Sequence, residues 1–498
     1  MQLQFETGNT RCMQKVKSEV LTQEQTQELR LPDGMPDVGR VLSAWAQVLI
    51  RGKEWQSDTV GVSCGVMVWV LYAPEDGSQA QCVETWIPMT FKWDIPQTDV
   101  DGDILCHGLV RSVDARTVSG RKLMVRATAS VMAQVWLPEQ LTLYTPAGLP
   151  EDIQLLQKQE PISMAAEAGE KAFMLDEELS VPTSAPELEK LIRYSLQPEV
   201  REQKVLGDKV IFRGSTWLHI LYRTQEGALS SWDFEIPFSQ YAELQEQYDT
   251  EAQAQVMPLV TAMELDCMDG RLRLKAGLSG QYMIYKLCQI PVVEDAYSPD
   301  REVTVHTQEL SVPAVSQRQS QRLRAEQTAP FGGSRVADVT FYPGFGHKQR
   351  KPQEVILEIP GHFQVLYYDT EGVLQSGITH WQEELSMELP EGSALDVVCG
   401  NSGKLQAVPT QESTMLRGEV LLDTGVYGMQ QICTVTGLTV AEQTEKDPLR
   451  PSVILRKPGT KSLWELAKEN GSTVQSIREA NNLQQDPEKD QLLLIPVL

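Results

Sequence analysis

The residues of this chain that could take part in chemistry are histidines, cysteines and one glycine-rich stretch. No H-E-x-x-H pattern is present, and no Cys/His pair has the spacing of zinc ligands. We expect packed or surface roles for the six histidines, which are His107, His219, His306, His347, His362 and His380. Residues 400–405 (GNSGKL) resemble half of a phosphate-binding loop, but the first glycine lies too close to the lysine and no Ser or Thr follows it. We interpret this stretch as a hairpin turn, and we predict that the protein is not an enzyme and needs no cofactor or metal.

The cysteines indicate a reducing compartment. All eight lie far apart, form no C-x-x-C pair and do not recur at a fixed spacing, as a disulfide framework would tend to do in a repeated domain. The first residues lack a basic segment followed by an apolar core, and no run of about 18 apolar residues occurs. We therefore expect a cytoplasmic protein with free thiols.

Composition and charge limit the classes of partner that the protein could bind. The chain has 498 residues, of which 41% are hydrophobic and 22% charged, and its formal net charge is -24. These fractions are typical of globular domains. The negative charge argues against nucleic acid and anionic membrane surfaces as primary partners.

One hairpin-like stretch occurs three times, at residues 66–77, 216–227 and 361–372. Each copy has β-branched and aromatic residues and then a polar turn that ends in Gly77, Gly227 or Gly372, where a positive φ angle costs little. These glycines are 150 and 145 positions apart, a spacing too long for a solenoid repeat and typical of one domain. The sequence therefore predicts a domain that is used three times.

Each copy predicts six or seven short strands, which favours an antiparallel β-sandwich or barrel. Apolar residues alternate with small or polar ones from Val60 to Val68, which predicts a strand that is buried on one face. We expect Leu71, Leu221 and Leu366, one at each hairpin, to serve three independent cores.

The segments between the repeats look less regular. Residues 141–175 contain several prolines and an Ala/Glu-rich stretch, and we interpret them as a linker with room for one helical turn. Residues 314–335 are rich in Arg and Gln, which favours irregular structure or a short solvated helix. Residues 241–255 favour a helix. The predicted β-domains are 1–140, 176–296 and 297–445, followed by a small module at 451–498.

The C-terminal module has a different pattern. A short strand at Val453 is followed by Ser462 and Thr473, each of which can cap a helix, and by Gly471, which can end the first one. A final strand begins near Leu492. The module therefore predicts the order strand, helix, helix, strand, and its six basic and six acidic residues leave it neutral.

This module resembles a LysM domain. The resemblance rests on residues 457–459 (KPG), 463–467 (LWELA), 481–483 (NNL) and 494–496 (LIP). In sugar-binding members the groove for N-acetylglucosamine chains lies beside the first turn, which here lacks the family's Asp and is one residue longer. The resemblance implies a partner-binding face that contains Lys457, Gly459, Lys461, Trp464, Asn482 and Leu483.

The repeats resemble SPOCS domains of clostridial spore-forming bacteria, through residues 36–42 (PDVGRVL) and the Leu-Tyr…Gly hairpin. SPOCS repeats followed by one LysM are the layout of a family of spore morphogenesis proteins. The resemblance implies a location in the mother cell cytoplasm at the forespore surface. It also implies that the LysM module docks on the coat-basement ATPase, stage IV sporulation protein A.

Three functions remain open. The first is a non-enzymatic assembly adaptor, in which several modules on one chain raise the effective concentration at a surface. The second is a protein that binds peptidoglycan or cortex glycan through its LysM module. The third, a hydrolase targeted by that module, has no catalytic constellation to support it.

Overall fold

The structure, a computed structural model, describes residues 1–268, 270–333, 335–442 and 450–498. Over these residues the chain is mainly β, with several antiparallel sheets and two short helices. Within the described ranges no helix is long and apolar enough to cross a membrane.

The first set of strands covers the N-terminal part of the chain. Its first long strand, β2, pairs with its last strand, β7, and β7 also pairs with β6, while β3, β4 and β5 form a separate sheet. The bounds are β1 Gln2–Gln4, β2 Glu6–Arg30, β3 Val38–Trp55, β4 Thr59–Pro74, β5 Gln81–Asp94, β6 Asp103–Ser119 and β7 Lys122–Thr145.

The second set has the same order of pairing. Its first strand, β8, pairs with the last, β12, and β12 pairs with β11, while β9 and β10 form the separate sheet. Strand β9 is 37 residues long and spans a segment that corresponds to two strands of the first set. The bounds are β8 Gln154–Ser180, β9 Leu188–Thr224, β10 Leu229–Tyr248, β11 Gln253–Met268 and β12 Arg271–Tyr297.

The third set again pairs its first strand, β13, with its last, β19, and β19 with β18. Strands β14, β15 and β17 pair with β16. The short β1 at the N-terminus pairs with β19, so the first strand of the chain joins the third set. The bounds are β13 Val303–Ala329, β14 Arg335–Pro343, β15 His347–Arg350, β16 Glu354–Tyr368, β17 Leu374–Glu388, β18 Ala394–Pro409 and β19 Thr414–Val440.

The tail is a small αβ unit with a core of its own. Strand β20 (Val453–Arg456) pairs with β21 (Leu493–Pro496), and helices α1 (Leu463–Glu469) and α2 (Val474–Ala480) lie between them in the chain. Ser462 caps α1 in a capping box with Glu465, and Thr473 caps α2. Tyr297 of β12 packs into this core, and the buried apolar side chains of the tail are Leu463, Leu466, Ala467, Ile477, Leu493 and Ile495.

The expectation of a linker at 141–175 was wrong for most of that segment. Strand β7 continues to Thr145, and β8 begins at Gln154 and extends beyond the predicted linker. The alanines that suggested a helix, Ala165, Ala166 and Ala168, are small residues buried where β8 packs against other strands. Pro161 is tolerated because β8 is an edge strand of its sheet.

Residues 314–329 are also a strand rather than irregular or helical. They continue β13, which pairs with β19, and Val315 and Ala325 are buried while Arg322 and Arg324 are exposed. The expected helix at 241–255 is absent as well, because β10 extends to Tyr248 and β11 begins at Gln253. The predicted end of the third domain, at residue 445, lies outside the described residues.

The three hairpin strands share one core, which contradicts the expectation of independent cores. Leu71, Leu221 and Leu366 all belong to the same cluster of buried residues. Strand β4 is also buried on both faces, since Val66 and Val68 pack into the core of the first set while Trp69 and Leu71 pack against the second set. A sequence pattern cannot identify the neighbour that covers the outer face of a strand.

The contacts between the sets follow a cyclic order. One residue of each hairpin strand, eight positions before the turn glycine, contacts a neighbouring set. Its partner there lies on a strand segment that precedes that set's own hairpin strand in the chain. The first set thus contacts the second, the second contacts the third, and the third contacts the first. The three contacts are Trp69 to Tyr194 (ring centroids 5.5 Å apart), His219 Nε2 to Asp338 Oδ1 (2.6 Å) and Gln364 Nε2 to Ser43 Oγ (2.7 Å).

The long outer strands of the three sets meet in a second shared core. Trp136 of β7, Tyr285 of β12 and Tyr427 of β19 lie together there. The hydroxyls of Tyr285 and Tyr427 are 2.9 Å apart, and the Trp136 ring lies edge-on to that of Tyr427 with centroids 5.5 Å apart. The body is therefore held together by cores to which all three sets contribute.

Candidate functional site

The first turn of the tail, between β20 and α1, presents three of the residues that the sequence predicts to contact a partner. Gly459 has a φ angle of 63° and donates its N–H to the carbonyl of Lys489 at 3.0 Å. Lys457 is exposed, with its Nζ 3.8 Å from Asp490, and Lys461 is held by Glu469 at 2.6 Å. The turn and the loop before β21 therefore form one exposed surface with both signs of charge.

Trp464 has different surroundings. Its indole Nε1 donates to Asp295 Oδ2 of β12 at 2.8 Å, and its ring packs edge-on against Tyr297 with centroids 4.7 Å apart. The side chain is half-buried. The structure therefore uses Trp464 to attach the tail to the second set of strands, which the sequence could not indicate.

The last two predicted residues lie just after α2. Asn482 is exposed and has a φ angle of 54°, a left-handed conformation that Asn tolerates better than most residues. Leu483 donates its N–H to the carbonyl of Arg478 at 3.0 Å and packs in part on the core of the tail. These two residues end the helix, and Asn482 is available to solvent.

The attachment of the tail centres on Asp295. Lys468 Nζ lies 2.7 Å from Asp295 Oδ2, and the Tyr297 hydroxyl donates to the carbonyl of Ser472 at 2.9 Å. Partial burial would raise the pKa of Asp295, but the hydrogen bonds from Lys468 and Trp464 outweigh that effect and lower it. The tail is thus held by a carboxylate that stays ionised and by one aromatic contact.

A buried charge network joins the second and third sets. Arg193 and Asp338 are each about 1% exposed, and the guanidinium lies 2.5 Å from Asp338 Oδ2 and 4.7 Å from the centre of the Trp45 ring. His219 bridges Asp338 and Asp233, at 2.6 Å from each. A buried ion pair of this kind needs every partner, because an unpaired charge cannot be solvated there.

The pKa values of this network are far from their ordinary values. Burial would lower the pKa of His219, but Asp338 and Asp233 raise it to about 9. Burial would raise the pKa of Asp338, but Arg193 and His219 lower it to about 2. The imidazole is therefore positively charged at neutral pH, and its role is that of a paired structural cation.

Of the other histidines, His362 and His380 lie side by side, with ring centroids 6.1 Å apart. Burial lowers the pKa of His107 and of His362 to about 4, so both are neutral. In the part of the chain that the structure describes, no three His, Cys, Asp or Glu residues are placed to hold a metal, and no cysteine there forms a disulfide.

The glycine-rich stretch at 400–405 is not a hairpin turn. It lies inside β18, where the pairing with β19 shifts between Ser402 and Gln406, and Gly403 has a φ angle of 66°. The extra residues form a bulge, for which a positive φ at glycine is a common solution. The interpretation of this stretch as a hairpin turn was therefore wrong.

Comparison with known proteins gives one finding. No curated protein matches the chain, and no solved structure matches it. The model of the family described as SipL, SPOCS domain, matches residues 187–268, which correspond to β9, β10 and β11 of the second set. This segment therefore supports a SipL/SPOCS-type family, which is linked to sporulation.

Proposed function

We propose that the protein is a non-enzymatic adaptor in the assembly of the spore envelope. The observation that carries the proposal is the SPOCS match at 187–268, within a body whose other two sets of strands have the same order of pairing. On this proposal the chain contains three SPOCS-type units and a LysM-type tail, and it acts at the forespore surface in the mother cell cytoplasm.

Details that recur from one set of strands to the next support three related units. The Tyr72 hydroxyl donates to the carbonyl of Pro36 at 2.9 Å, and the Tyr222 hydroxyl donates to that of Pro186 at the same distance, 36 residues apart in both cases. The third set has Phe331 at this offset from Tyr367, and their rings stack with centroids 5.7 Å apart. An aromatic contact thus takes the place of the hydrogen bond.

The tail is the part that we propose docks on a partner. It has its own core, it is neutral beside a strongly acidic body, and its exposed first turn carries Lys457 and Lys461. A neutral surface avoids the repulsion that another acidic protein would meet at the body. The partner that the family resemblance suggests is the coat-basement ATPase, stage IV sporulation protein A.

The test is a binding titration of the full-length chain with this purified ATPase. The double variant Lys457→Ala/Lys461→Ala should weaken binding about tenfold, because two charge-assisted contacts contribute about 1.4 kcal/mol or more between them. The matched control, Lys92→Ala/Arg116→Ala, removes two exposed cations from the first set of strands. It should leave the affinity unchanged.

A second titration with purified sacculi separates the adaptor from a glycan-binding protein. The adaptor proposal predicts that the ATPase retains the chain and that sacculi do not. Retention by sacculi alone, sensitive to the Lys457/Lys461 variant, would replace the proposal by glycan binding.

A further inference from the structure

A cavity of about 380 Å³ lies between the second and third sets of strands. Residues of β9, β11, β13, β18 and β19 line it, together with His107 of β6. Arg201 and Arg322 are exposed at its rim, so it opens to solvent there. Its volume is in the range of small-molecule sites.

Three guanidinium groups line this cavity although the chain as a whole is acidic. Arg201 lies 2.6 Å from Glu235, and Arg322 pairs with Glu199 and Glu419. Arg318 differs, because it makes no ion pair with any residue that the structure describes. Its guanidinium lies over the Tyr285 ring, 3.7 Å from the ring centre, and its other contact is a weak hydrogen bond of 3.5 Å to Gln253.

Arg318 is therefore held in place by Tyr285 and forms no ion pair within the described residues, although the charge of Asp423, which also lines the cavity, lies close enough to interact with it. Stacking on an aromatic ring fixes the plane of a guanidinium and leaves its N–H donors free at the edge. A guanidinium of this kind matches the geometry of a carboxylate or a phosphate, which accepts two parallel hydrogen bonds.

The same cavity also has acceptors without donors. Glu199 is 3% exposed, and its Oε1 binds Arg322 whereas its Oε2 has no hydrogen-bond partner among the described residues. Asn401, which also lines the cavity, has an Oδ1 atom that likewise accepts no hydrogen bond from any described residue. A buried acceptor without a donor has lost its hydrogen bond to water, so a ligand group that donates a hydrogen bond is favoured there.

We propose that this cavity is a binding site for a small hydroxylated anion, either a hydroxycarboxylate or a phosphate ester with free hydroxyls. The anionic group accepts hydrogen bonds from Arg318, and a hydroxyl of the same molecule donates to Glu199 or Asn401. The proposal is independent of the adaptor function, and nothing in the partner-binding tail contributes to the site.

The test uses pairs of anions that differ in their hydroxyl groups. Citrate is compared with tricarballylate, which lacks only the hydroxyl, and glycerol 3-phosphate is compared with propyl phosphate, which lacks both hydroxyls. Each is titrated calorimetrically into the full-length chain at constant ionic strength. We expect the hydroxylated member of at least one pair to bind, with an affinity about tenfold or more above that of its partner. Which pair responds identifies the carboxylate or the phosphate class.

The variants locate the site. Arg318→Gln should lower the affinity at least tenfold, and Arg318→Lys, which keeps the charge but not the planar fork, should lower it less. Arg324→Gln is the matched control, since Arg324 is an exposed arginine on the same strand that does not line the cavity. It should bind as the unchanged protein does.

Two results would overturn the proposal. One is that no hydroxylated anion binds more tightly than its partner, in which case the cavity holds only water. The other is binding that Arg318→Gln and Arg324→Gln reduce equally, which would indicate non-specific attraction to positive charge. Circular dichroism of each variant confirms that the fold is retained, and Arg318→Lys carries the test if Arg318→Gln does not fold.

Discussion

The β-body and the tail are held together in different ways. All three sets of strands contribute to the buried cores of the body, and β1 joins the N-terminus to the last set. The core of the tail contains one residue of the body, Tyr297, and the hydrogen bonds between tail and body involve Asp295 and Tyr297. This difference indicates that the body is one cooperative scaffold and that the tail is a module that can open without it.

The largest effect should come from a cavity in the shared core. Leu221→Ala removes a fully buried side chain at the junction of the hairpins and should lower the free energy of unfolding by about 2–5 kcal/mol. Because the three sets share this core, the whole body should unfold in one transition at lower denaturant. Circular dichroism and tryptophan fluorescence during urea unfolding measure it.

The control is Leu206→Ala, on the same strand but 44% exposed, which should change the stability little. Separate transitions for the three sets, of which only one shifts in Leu221→Ala, would support three independent domains instead.

The second effect is a dependence of stability on pH at the junction of the second and third sets. His219 has a pKa of about 9 in the folded protein and about 6.5 when unfolded. Its stabilising contribution is therefore complete below pH 6.5 and is lost as the pH rises through 9. The loss should be about 1–3 kcal/mol.

Asp338 acts at the other end of the pH scale. Its pKa is about 2 in the folded protein, so its contribution to stability is complete above pH 4 and is lost as the pH falls towards 2.

Urea unfolding at a series of pH values tests the contribution of His219. It should show the decline in stability between pH 6.5 and 9 in the unchanged protein and a flatter profile in His219→Gln. An equal decline in both would show that other groups cause it.

A smaller effect is expected where the tail meets the body. Asp295→Asn removes the charge that holds Trp464 and Lys468, and should weaken the attachment by about 1–2 kcal/mol. Hydrogen exchange of Tyr297 and of α1 should become faster, while exchange in β4, β9 and β16 stays the same. Glu294→Gln, which changes the neighbouring exposed carboxylate, is the matched control. Faster exchange across the whole body in Asp295→Asn, and not only at Tyr297 and α1, would contradict this account.

The smallest change concerns the cysteines, all of which belong to the body. Cys433 is exposed, whereas burial raises the pKa of Cys64 and of Cys399 to about 12. A thiol reagent at pH 8 should therefore label Cys433 rapidly, and Cys433→Ser should remove the fast phase without affecting stability. Rapid labelling of Cys64 or Cys399 would mean that the body opens locally.

Local features of the fold were accessible from the sequence. Gly77, Gly227 and Gly372 all have positive φ angles, as their turns predicted. The caps at Ser462 and Thr473 are also present, as the sequence predicted. In each case the residues that determine the conformation are neighbours in the chain, so their types and spacing contain the information.

Features that depend on residues far apart in the chain could not be predicted from the sequence. The alanines of β8 favour a helix by themselves and become a strand because β12 and other strands surround them. Arg193 and Asp338 are 145 residues apart, and nothing near either indicates the other. For the candidate site, the exposed turn at Lys457–Lys461 followed from local pattern, whereas the attachment of Trp464 to Asp295 depends on how the tail lies against the body.

Native-state hydrogen exchange of the full-length chain tests the difference between body and tail most directly. We predict that the slowest amides of β4, β9 and β16 exchange with one common opening free energy, and that the slowest amides of β20, α1, α2 and β21 exchange with a clearly lower one. Three different values for β4, β9 and β16, or a single value shared by body and tail, would contradict the account.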